Sequence, residues 1–319
     1  MSWARARALF AGLAAHASRP LECAGTAAFV LLLAAAGHAV GWPVARGGAQ
    51  RLADAFVGYV RLLGGDVVTG APVETMQDVD GVRAVLCDMT PRQLLALSGD
   101  RLPASYRRRL RRFRHGPASF KLDWALEGPI PWRAAACRRA GTIHLGGTLE
   151  EIAGGEADVD AGRSPERPFV LLAQPSRFDP SRAPVGCHSG WAYCHVPLGS
   201  TEDMTERIEA QVERFAPGFR SLILARHVSP PAALQQANPN EIDGDIGGGS
   251  NTLWQLLARP ILAACPYATP LPGLYLCSAS TPPGGGVHGM CGYHAAQAAL
   301  RRTFPGTGCM VRRALLRAC

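Results

Sequence analysis

The stretch that decides the fold is Pro272–Leu300, PGLYLCSASTPPGGGVHGMCGYHAAQAAL. Leu274–Cys277 is a short apolar run that predicts a buried strand. Thr281–Gly289 contains two prolines and four glycines and predicts a loop, and the Ala-rich His294–Leu300 predicts a helix. A strand, a glycine loop and a helix in this order can bring backbone N–H groups against an anion or the polar edge of a cofactor. We therefore interpret the stretch as a cofactor-contacting loop, with an ordinary strand-to-helix connection as the alternative.

Gly284, Gly286 and Gly289 also satisfy the pattern G-x-G-x-x-G. In a dinucleotide-binding domain this pattern opens a βαβ unit and is followed about 20 residues later by an acidic residue. Here only 30 residues follow Gly289, and no Asp or Glu occurs after Asp245. The glycine loop is therefore not the primary dinucleotide turn.

The composition indicates a globular protein of two domains, because 319 residues with 47% hydrophobic content can bury a substantial core. The net charge of +8 raises the question of nucleic acid. Lys121 is the single lysine, however, and abundant Ala, Arg, Gly and Pro indicate a GC-rich coding bias instead of a binding surface. We predict no nucleic-acid partner.

Two segments raise the question of a membrane. Tyr106–Arg114 (YRRRLRRFR) predicts an amphipathic, solvated helix, with a contact to anionic lipid or nucleotide phosphate as the alternative. Ala27–Ala36 (AAFVLLLAAA) is too short to span a bilayer and lacks the pattern of a signal peptide. It predicts a buried helix, with a membrane-dipping helix as the alternative. The expected location is cytoplasmic, or peripheral to a membrane.

The ten cysteines include no C-x-x-C pair, which fits a reducing compartment. Cys187-His188 and Cys194-His195 suggest zinc, but they flank a predicted strand. Residues seven apart on a strand point to opposite faces, so these side chains should not converge. No metal site is predicted.

The remaining pattern predicts a mixed α/β chain. Residues 1–40 predict helices. Gly47-Gly48 opens an amphipathic helix that Gly64-Gly65 ends. Two further strands are predicted at Asp66–Thr69 and Val82–Asp88, and Ala71–Val73 is predicted to follow a sheet edge. Further helices are predicted to begin at Thr90-Pro91 and within 147–152, and to span Ser200–Phe215 with Ser200 or Thr201 as the cap. Four strands without intervening helices predict a mixed or antiparallel sheet, at Ser119–Leu126, Thr142–Leu145, Phe169–Ala173 and Gly190–Val196.

Three blocks together go beyond a generic α/β pattern: GWPVARGGAQRLADAFVGYVRLLGG (41–65), VLCDMTPRQLLAL (85–97) and the opening stretch. They resemble the phytoene-dehydrogenase-like flavoprotein oxidoreductases of the FAD amine-oxidase superfamily, in particular the branch that includes the pyridine nucleotide-disulphide oxidoreductase domain-containing protein 2. FKLDWALEGPIPW, FVLLAQPSRFDP and WAYCHVPLGSTEDM are similar to substrate-domain strands of that branch. The resemblance covers essentially Leu9 to Arg301.

The resemblance implies an incomplete FAD-binding Rossmann-like domain plus a substrate domain with a mixed or antiparallel sheet and helices. It assigns 1–40 to the helical part of the substrate domain, 41–98 to an FAD-domain segment, 99–225 to the substrate domain and 226–319 to the C-terminal FAD-domain segment. The valine that lies against the adenine in this family corresponds to Val73. The residues beside the ribityl chain and the pyrimidine end of the flavin correspond to Ser278, Gly284, Gly285, Gly286, Val287 and His288.

The resemblance implies FAD as the cofactor and oxidation or desaturation of an apolar small molecule by hydride transfer to flavin. No catalytic acid or base is assigned. His288 is the candidate nearest the flavin, and His144 and His195 are candidates by residue type alone. In eukaryotic relatives of the branch the expected location is mitochondrial.

Family members begin with a βαβ unit that carries the true G-x-G-x-x-G, and this sequence has none. Three explanations stay open: an N-terminally truncated or degenerate gene product, a mis-called start, or a half that pairs with a separately encoded FAD-binding half. The alternative function is accordingly a non-catalytic remnant or an interaction subunit that needs such a partner.

Overall fold

The computed structural model of the chain describes residues 3–305. These residues form two compact units, one from residues up to 70 and 117–239, the other from 71–116 and from 240 onward. The α-helices are α1 (Trp3–Ala14), α2 (Thr26–Val40), α3 (Gln50–Leu62), α4 (Pro91–Ser98), α5 (Ala104–Leu110), α6 (Leu149–Asp160), α7 (Thr205–Phe215), α8 (Pro231–Ala237), α9 (Leu253–Leu257) and α10 (Met290–Thr303). The strands are β1 (Val85–Cys87), β2 (Ala118–Leu126), β3 (Thr142–Leu145), β4 (Val170–Ala173), β5 (His188–Val196), β6 (Ile223–Ser229) and β7 (Leu274–Leu276).

The first unit is built on a five-stranded sheet in the order β3-β4-β5-β2-β6. Every strand pair in it is antiparallel, as the run of strands without intervening helices predicted. Side chains alternate between the two faces. Leu172 faces the core that includes Ile208 and Val212 of α7, whereas Leu171 faces Ala11 of α1 and Ile152 of α6.

The second unit contains β1 and β7, which pair in parallel with Val85 opposite Leu274. One face of this pair packs on α4 and α5 through a core that includes Leu94, Leu110 and Leu276. Tyr275 lies on the other face, against Ala298 and Ala299 of α10. Helices on both faces of parallel strands are the arrangement that the α/β prediction requires.

Local sequence signals fix several helix ends. Thr90 begins α4 with a capping box in which its side chain accepts from the Gln93 amide and Gln93 accepts from the Thr90 amide. Thr148 and Glu151 form the same box at α6. The helix predicted after Gly47-Gly48 is present as α3, and Gly64 follows it with a positive φ of 83°. The helix predicted within His294–Leu300 is present as part of the longer α10.

Four predictions about elements are wrong. Asp66–Thr69 is not a strand, and neither is Ala71–Val73, because no described strand pairs with this segment. The helix α7 begins at Thr205 instead of Ser200, since the Asp203 carboxylate accepts a hydrogen bond from the Thr205 amide at 2.8 Å. The apolar helix α2 is not buried: Thr26 is its one buried residue, and Leu31 and Leu32 are exposed.

The compact units also differ from the segments inferred from the resemblance at three places. Residues 41–70 belong to the first unit, where the Gly47 amide donates to the Asp179 carboxylate at 2.6 Å. Residues 99–116 belong to the second unit through the buried Tyr106 and Leu110 of α5. Residues 226–239 belong to the first unit because β6 pairs with β2. The assignment of these segments to an FAD domain or a substrate domain stays a prediction.

Candidate functional site

The candidate site is the loop between β7 and α10, which the opening stretch predicted. Gly284 and Gly286 have φ values of 107° and 142°, and Gly289, the N-cap of α10, has a φ of 64°. Side chains with a Cβ rarely adopt such values, so these glycines allow the loop its path. A Cβ at Gly285 would lie 2.7 Å from the Gly247 carbonyl oxygen, so two glycine-rich loops approach closely here.

A buried cation lies beneath this loop. Arg259 is 1% exposed, and its Nη2 donates to the Gly249 carbonyl at 3.0 Å. Its Nε and Nη1 have no hydrogen-bond partner among the described residues. A Cβ at Gly284 would overlap Nη1, so the loop can cover the guanidinium only if that position is glycine. Burial lowers the pKa of Arg259, while the nearby charge of Asp245 opposes this shift.

Asp245 anchors the second glycine-rich loop. Its buried carboxylate accepts hydrogen bonds from the Gly116 amide at 2.9 Å and the Gly247 amide at 2.8 Å. It also lies 3.2 Å from Nδ1 of His115. Gly247 lies in the same loop as Gly249, whose carbonyl accepts the hydrogen bond from Arg259.

The predicted cofactor residues occupy different environments. Val287 is 96% exposed, and Gly285, Gly286 and His288 are exposed beside it. Nδ1 of His288 accepts a hydrogen bond from the Met290 amide at 3.0 Å, so this ring caps the first turn of α10. Its assignment as a catalytic candidate stays a prediction.

Ser278 lies just before the glycine loop, and its carbonyl accepts a hydrogen bond from the Thr281 hydroxyl at 2.7 Å. Ser278 is buried, and its Oγ accepts a hydrogen bond from the Ser280 amide at 3.2 Å. Val73 is 46% exposed, in the segment that was predicted to follow a sheet edge. Their roles as cofactor contacts stay predictions.

A second polar cluster lies in the first unit, between β3, β5, α6 and the chain after α1. His195 Nδ1 is 2.9 Å from the Glu156 carboxylate, and both side chains are buried. Burial opposes protonation of His195, but the charge of Glu156 and its hydrogen bond outweigh this effect and raise the pKa of His195. The His16 and His144 Nε2 atoms are 3.0 Å apart. Burial lowers the pKa of His16 to about 3 and that of His144 to about 4.

This cluster explains the two histidines that were candidates by type. His195 forms a buried ion pair with Glu156, and His144, which is neutral at neutral pH, is hydrogen-bonded to His16. Their assignment as catalytic candidates stays a prediction. Cys194 lies on the opposite face, in the main core, as strand alternation requires. Within residues 3–305, no group of three or more His, Cys, Asp or Glu side chains is placed to hold a metal ion.

The first unit also has an open cleft of about 370 Å³ beside β3 and the end of α7. Trp132, Ile143 and Leu145 form much of its apolar wall, and Arg133 and Arg214 lie at the same cleft. In the described part of the chain, no helix is both long enough and apolar enough to cross a membrane.

Comparison with known proteins supports the fold deduced from these elements. The chain is 34% identical over 158 residues to pyridine nucleotide-disulfide oxidoreductase domain-containing protein 2 of Rattus norvegicus, and 33% identical over 156 residues to that of Mus musculus. Each match covers 45% of this chain and 27% of the relative, so the chain matches about a quarter of the length of these relatives. No protein-family model matches the chain.

An oxidoreductase from Methanosarcina mazei superposes with a TM-score of 0.61 at 16% identity, over 92% of this chain and 64% of that one. A putrescine oxidase bound to putrescine superposes with a TM-score of 0.50 at 15% identity, over 95% and 64%. This chain has the fold of FAD-dependent oxidoreductases. The resemblance to pyridine nucleotide-disulfide oxidoreductase domain-containing protein 2 and the mixed α/β fold, both predicted from the sequence, are confirmed.

Proposed function

We propose that the chain forms the flavin-contacting part of an FAD-dependent oxidoreductase that oxidises or desaturates an apolar substrate, as phytoene desaturases do. The observation that carries this proposal is that a helix N-terminus and a buried arginine meet at the Gly284–Gly289 loop. The N-terminus of the 14-residue α10 contributes a partial positive charge, and the buried guanidinium of Arg259 contributes a full one close to Gly284.

The residues present fit FAD for this reason. A reduced flavin carries negative charge around N1 and C2=O, and its phosphates are anionic, so a glycine loop with a positive potential suits both. Gly285, Gly286 and Val287 are the accessible positions that would bind the group, and Arg259 and the His288 cap would hold the loop in place. The chemistry that FAD supplies when bound is the acceptance of a hydride.

An apolar substrate is supported by the cleft of the first unit. Buried Trp132, Ile143 and Leu145 line it, and a cleft with such walls favours a ligand that loses apolar surface to it. His144, which also lines the cleft, is uncharged at neutral pH because burial lowers its pKa to about 4. It therefore adds no charge to the wall.

The test is to measure FAD binding by the purified full chain. Quenching of flavin fluorescence reports binding in solution, and the flavin absorbance of the desalted protein reports how much FAD is retained. Gly284→Ala should weaken binding about ten-fold or more, because the added Cβ overlaps Arg259 and displaces the loop. Gly81→Ala is the matched control, since Gly81 lies in the same unit at a φ of 85° with open space around its Cβ position. Equal binding by both variants would remove the loop from the FAD site.

A second candidate function is an interaction subunit that joins a separate FAD-binding half. The observation that favours it is α3, in which Leu52, Phe56 and Val60 recur at helical spacing although the helix buries no residue. The two candidate functions can be distinguished by mixing the chain with a separately produced half that carries a G-x-G-x-x-G turn. FAD binding by the chain alone supports the first, and FAD binding that arises only in the mixture and is lost in Phe56→Ser supports the second.

A further inference from the structure

An exposed surface of the second unit combines arginine side chains with large apolar ones. A cavity of about 290 Å³ lies between the end of α5 and α9, and its lining includes Arg109, Arg112, Trp254 and Leu262. Leu257 lies on the same short helix as Trp254. We call these five residues the Arg-Trp surface.

Hydrogen bonds fix the basic and apolar parts of this surface together. The buried Gln255 of α9 accepts from the Arg114 amide at 3.0 Å and donates to the Arg114 carbonyl at 2.7 Å. Arg109 donates to the carbonyl of Leu262. Trp254, next to Gln255, is thereby held beside the arginine-rich segment in the folded unit.

The surface is basic because no carboxylate neutralises it. No acidic residue occurs from Arg101 to Lys121, or after Asp245. Arg107 is paired with Asp100, but no ion pair involves Arg109 or Arg112 in the part of the chain that the structure describes. Both side chains are exposed. Their charge is therefore available to an anionic partner.

The apolar part is unusually accessible. Trp254 is 68% exposed, Leu257 is 72% exposed and Leu262 is 60% exposed. Tryptophan beside arginine and leucine is the composition that partitions into the headgroup region of a membrane, where the rings and aliphatic groups enter the acyl boundary and the guanidinium groups reach phosphates. Nucleic acid would meet the arginines, but it has no apolar interior for the two leucines.

We propose that the Arg-Trp surface docks the protein on an anionic phospholipid membrane, with Arg109 and Arg112 at the lipid phosphates and Trp254 and Leu257 inserted beside them. The surface belongs to the second unit alone. The proposal therefore does not depend on whether the chain binds FAD.

The experiment is co-sedimentation of the full chain with vesicles of phosphatidylcholine alone and of phosphatidylcholine with phosphatidylserine. We expect binding to the anionic vesicles that weakens as salt rises, and much weaker binding to the neutral ones. Arg109→Gln/Arg112→Gln should weaken binding to anionic vesicles about 25-fold, since each arginine near such a surface strengthens binding about five-fold. Trp254→Ser should weaken it roughly ten-fold.

The control is Arg163→Gln/Arg177→Gln, which removes the same charge from exposed positions of the first unit and should leave vesicle binding unchanged. Circular dichroism establishes that each variant is folded. Three results would overturn the proposal: equal binding to both kinds of vesicle, equal losses in the two arginine double variants, or tighter binding to single-stranded DNA than to anionic vesicles through the same arginines. Loss of vesicle binding in Phe56→Ser without loss in Trp254→Ser would likewise assign the membrane contact to α3.

Discussion

The buried histidine pair makes the first unit sensitive to acid. His16 and His144 share one Nε2-to-Nε2 contact of 3.0 Å, in which one neutral ring donates to the other. Burial is the main cause that lowers their pKa values, to about 3 and about 4, from the ordinary 6.5. Between those values and 6.5, the unfolded chain binds protons that the folded chain does not. Stability is therefore lost as pH falls below 6.5.

The size of this loss follows from the two pKa values. At pH 5 both histidines are still neutral in the folded chain but protonated in the unfolded chain, where their pKa is about 6.5. This pH lies 1.5 units below the unfolded pKa, so each histidine lowers the unfolding free energy by about 2 kcal/mol. Together the two histidines lower the unfolding free energy by about 4 kcal/mol as the pH falls from 7.5 to 5. The result depends little on the folded values as long as both stay below 5.

His195 contributes with the opposite sign. Its pKa is raised by Glu156, so its stabilising contribution is fully present below 6.5 and is lost as pH rises through the folded value. A comparison of variants cancels this effect, because the His195–Glu156 pair is retained in each of them.

The assay is urea unfolding followed by tryptophan fluorescence at pH 7.5, 6 and 5, since five of the six tryptophans lie in the first unit. His16→Gln/His144→Gln should reduce the loss of unfolding free energy between pH 7.5 and 5 by about 4 kcal/mol. His227→Gln, at an exposed position of β6, should leave the loss unchanged. If the unfolding free energy falls equally with pH in the wild type and in the double variant, the reasoning is refuted.

Three further outcomes test individual contacts, each by urea unfolding. Leu172→Ala, in the core beneath α7, should lower the unfolding free energy by about 2–5 kcal/mol, whereas Phe56→Ala, at a side chain that is 71% exposed, should change it by less than about 0.5 kcal/mol. Glu209→Ala should lower the unfolding free energy by about 3 kcal/mol. This buried carboxylate accepts hydrogen bonds from Trp124 and Arg226, and both donors would lose their acceptor. Asp245→Ala should cost about 3 kcal/mol through the buried charge of Arg259 and the freed loop amides, and an Asp243→Ala control, whose ion pair with Arg92 is exposed, should cost about 1 kcal/mol or less.

Much of the local structure could be predicted, because its causes lie within a few residues. Thr90-Pro91 predicts the start of α4 through a cap and a residue that suits the first turn. Gly64 predicts the end of α3 for an equally local reason, since the chain there needs a positive φ. Thr142–Leu145 matches the bounds of β3. The glycine loop follows the same logic, because its positive φ values require glycine whatever the loop binds.

The errors arose where the structure depends on a distant partner. The β-branched residues of Asp66–Thr69 suit a strand, but a strand forms only where another strand can receive its hydrogen bonds. The composition of α2 suits a core, yet a helix becomes buried only if other elements cover it, and here they leave Leu31 and Leu32 exposed. Hydrophobic content describes what a segment favours, and it carries no information about what the rest of the chain places against it.

The buried polar clusters were beyond the sequence for a related reason. His195 and Glu156 are 39 residues apart, on β5 and α6, and His16 and His144 are 128 residues apart. Strand periodicity gives the face on which His195 lies, but the residue opposite it depends on how α6 crosses the sheet. A buried carboxylate or imidazole that loses its partner costs several kcal/mol, so each cluster penalises any shift of the helix along the sheet. Asp245 and Arg259 follow the same principle beneath the glycine loops. The loop sequence predicts flexibility, but the hydrogen bonds from the Gly116 and Gly247 amides to Asp245 and from Arg259 to the Gly249 carbonyl select one conformation.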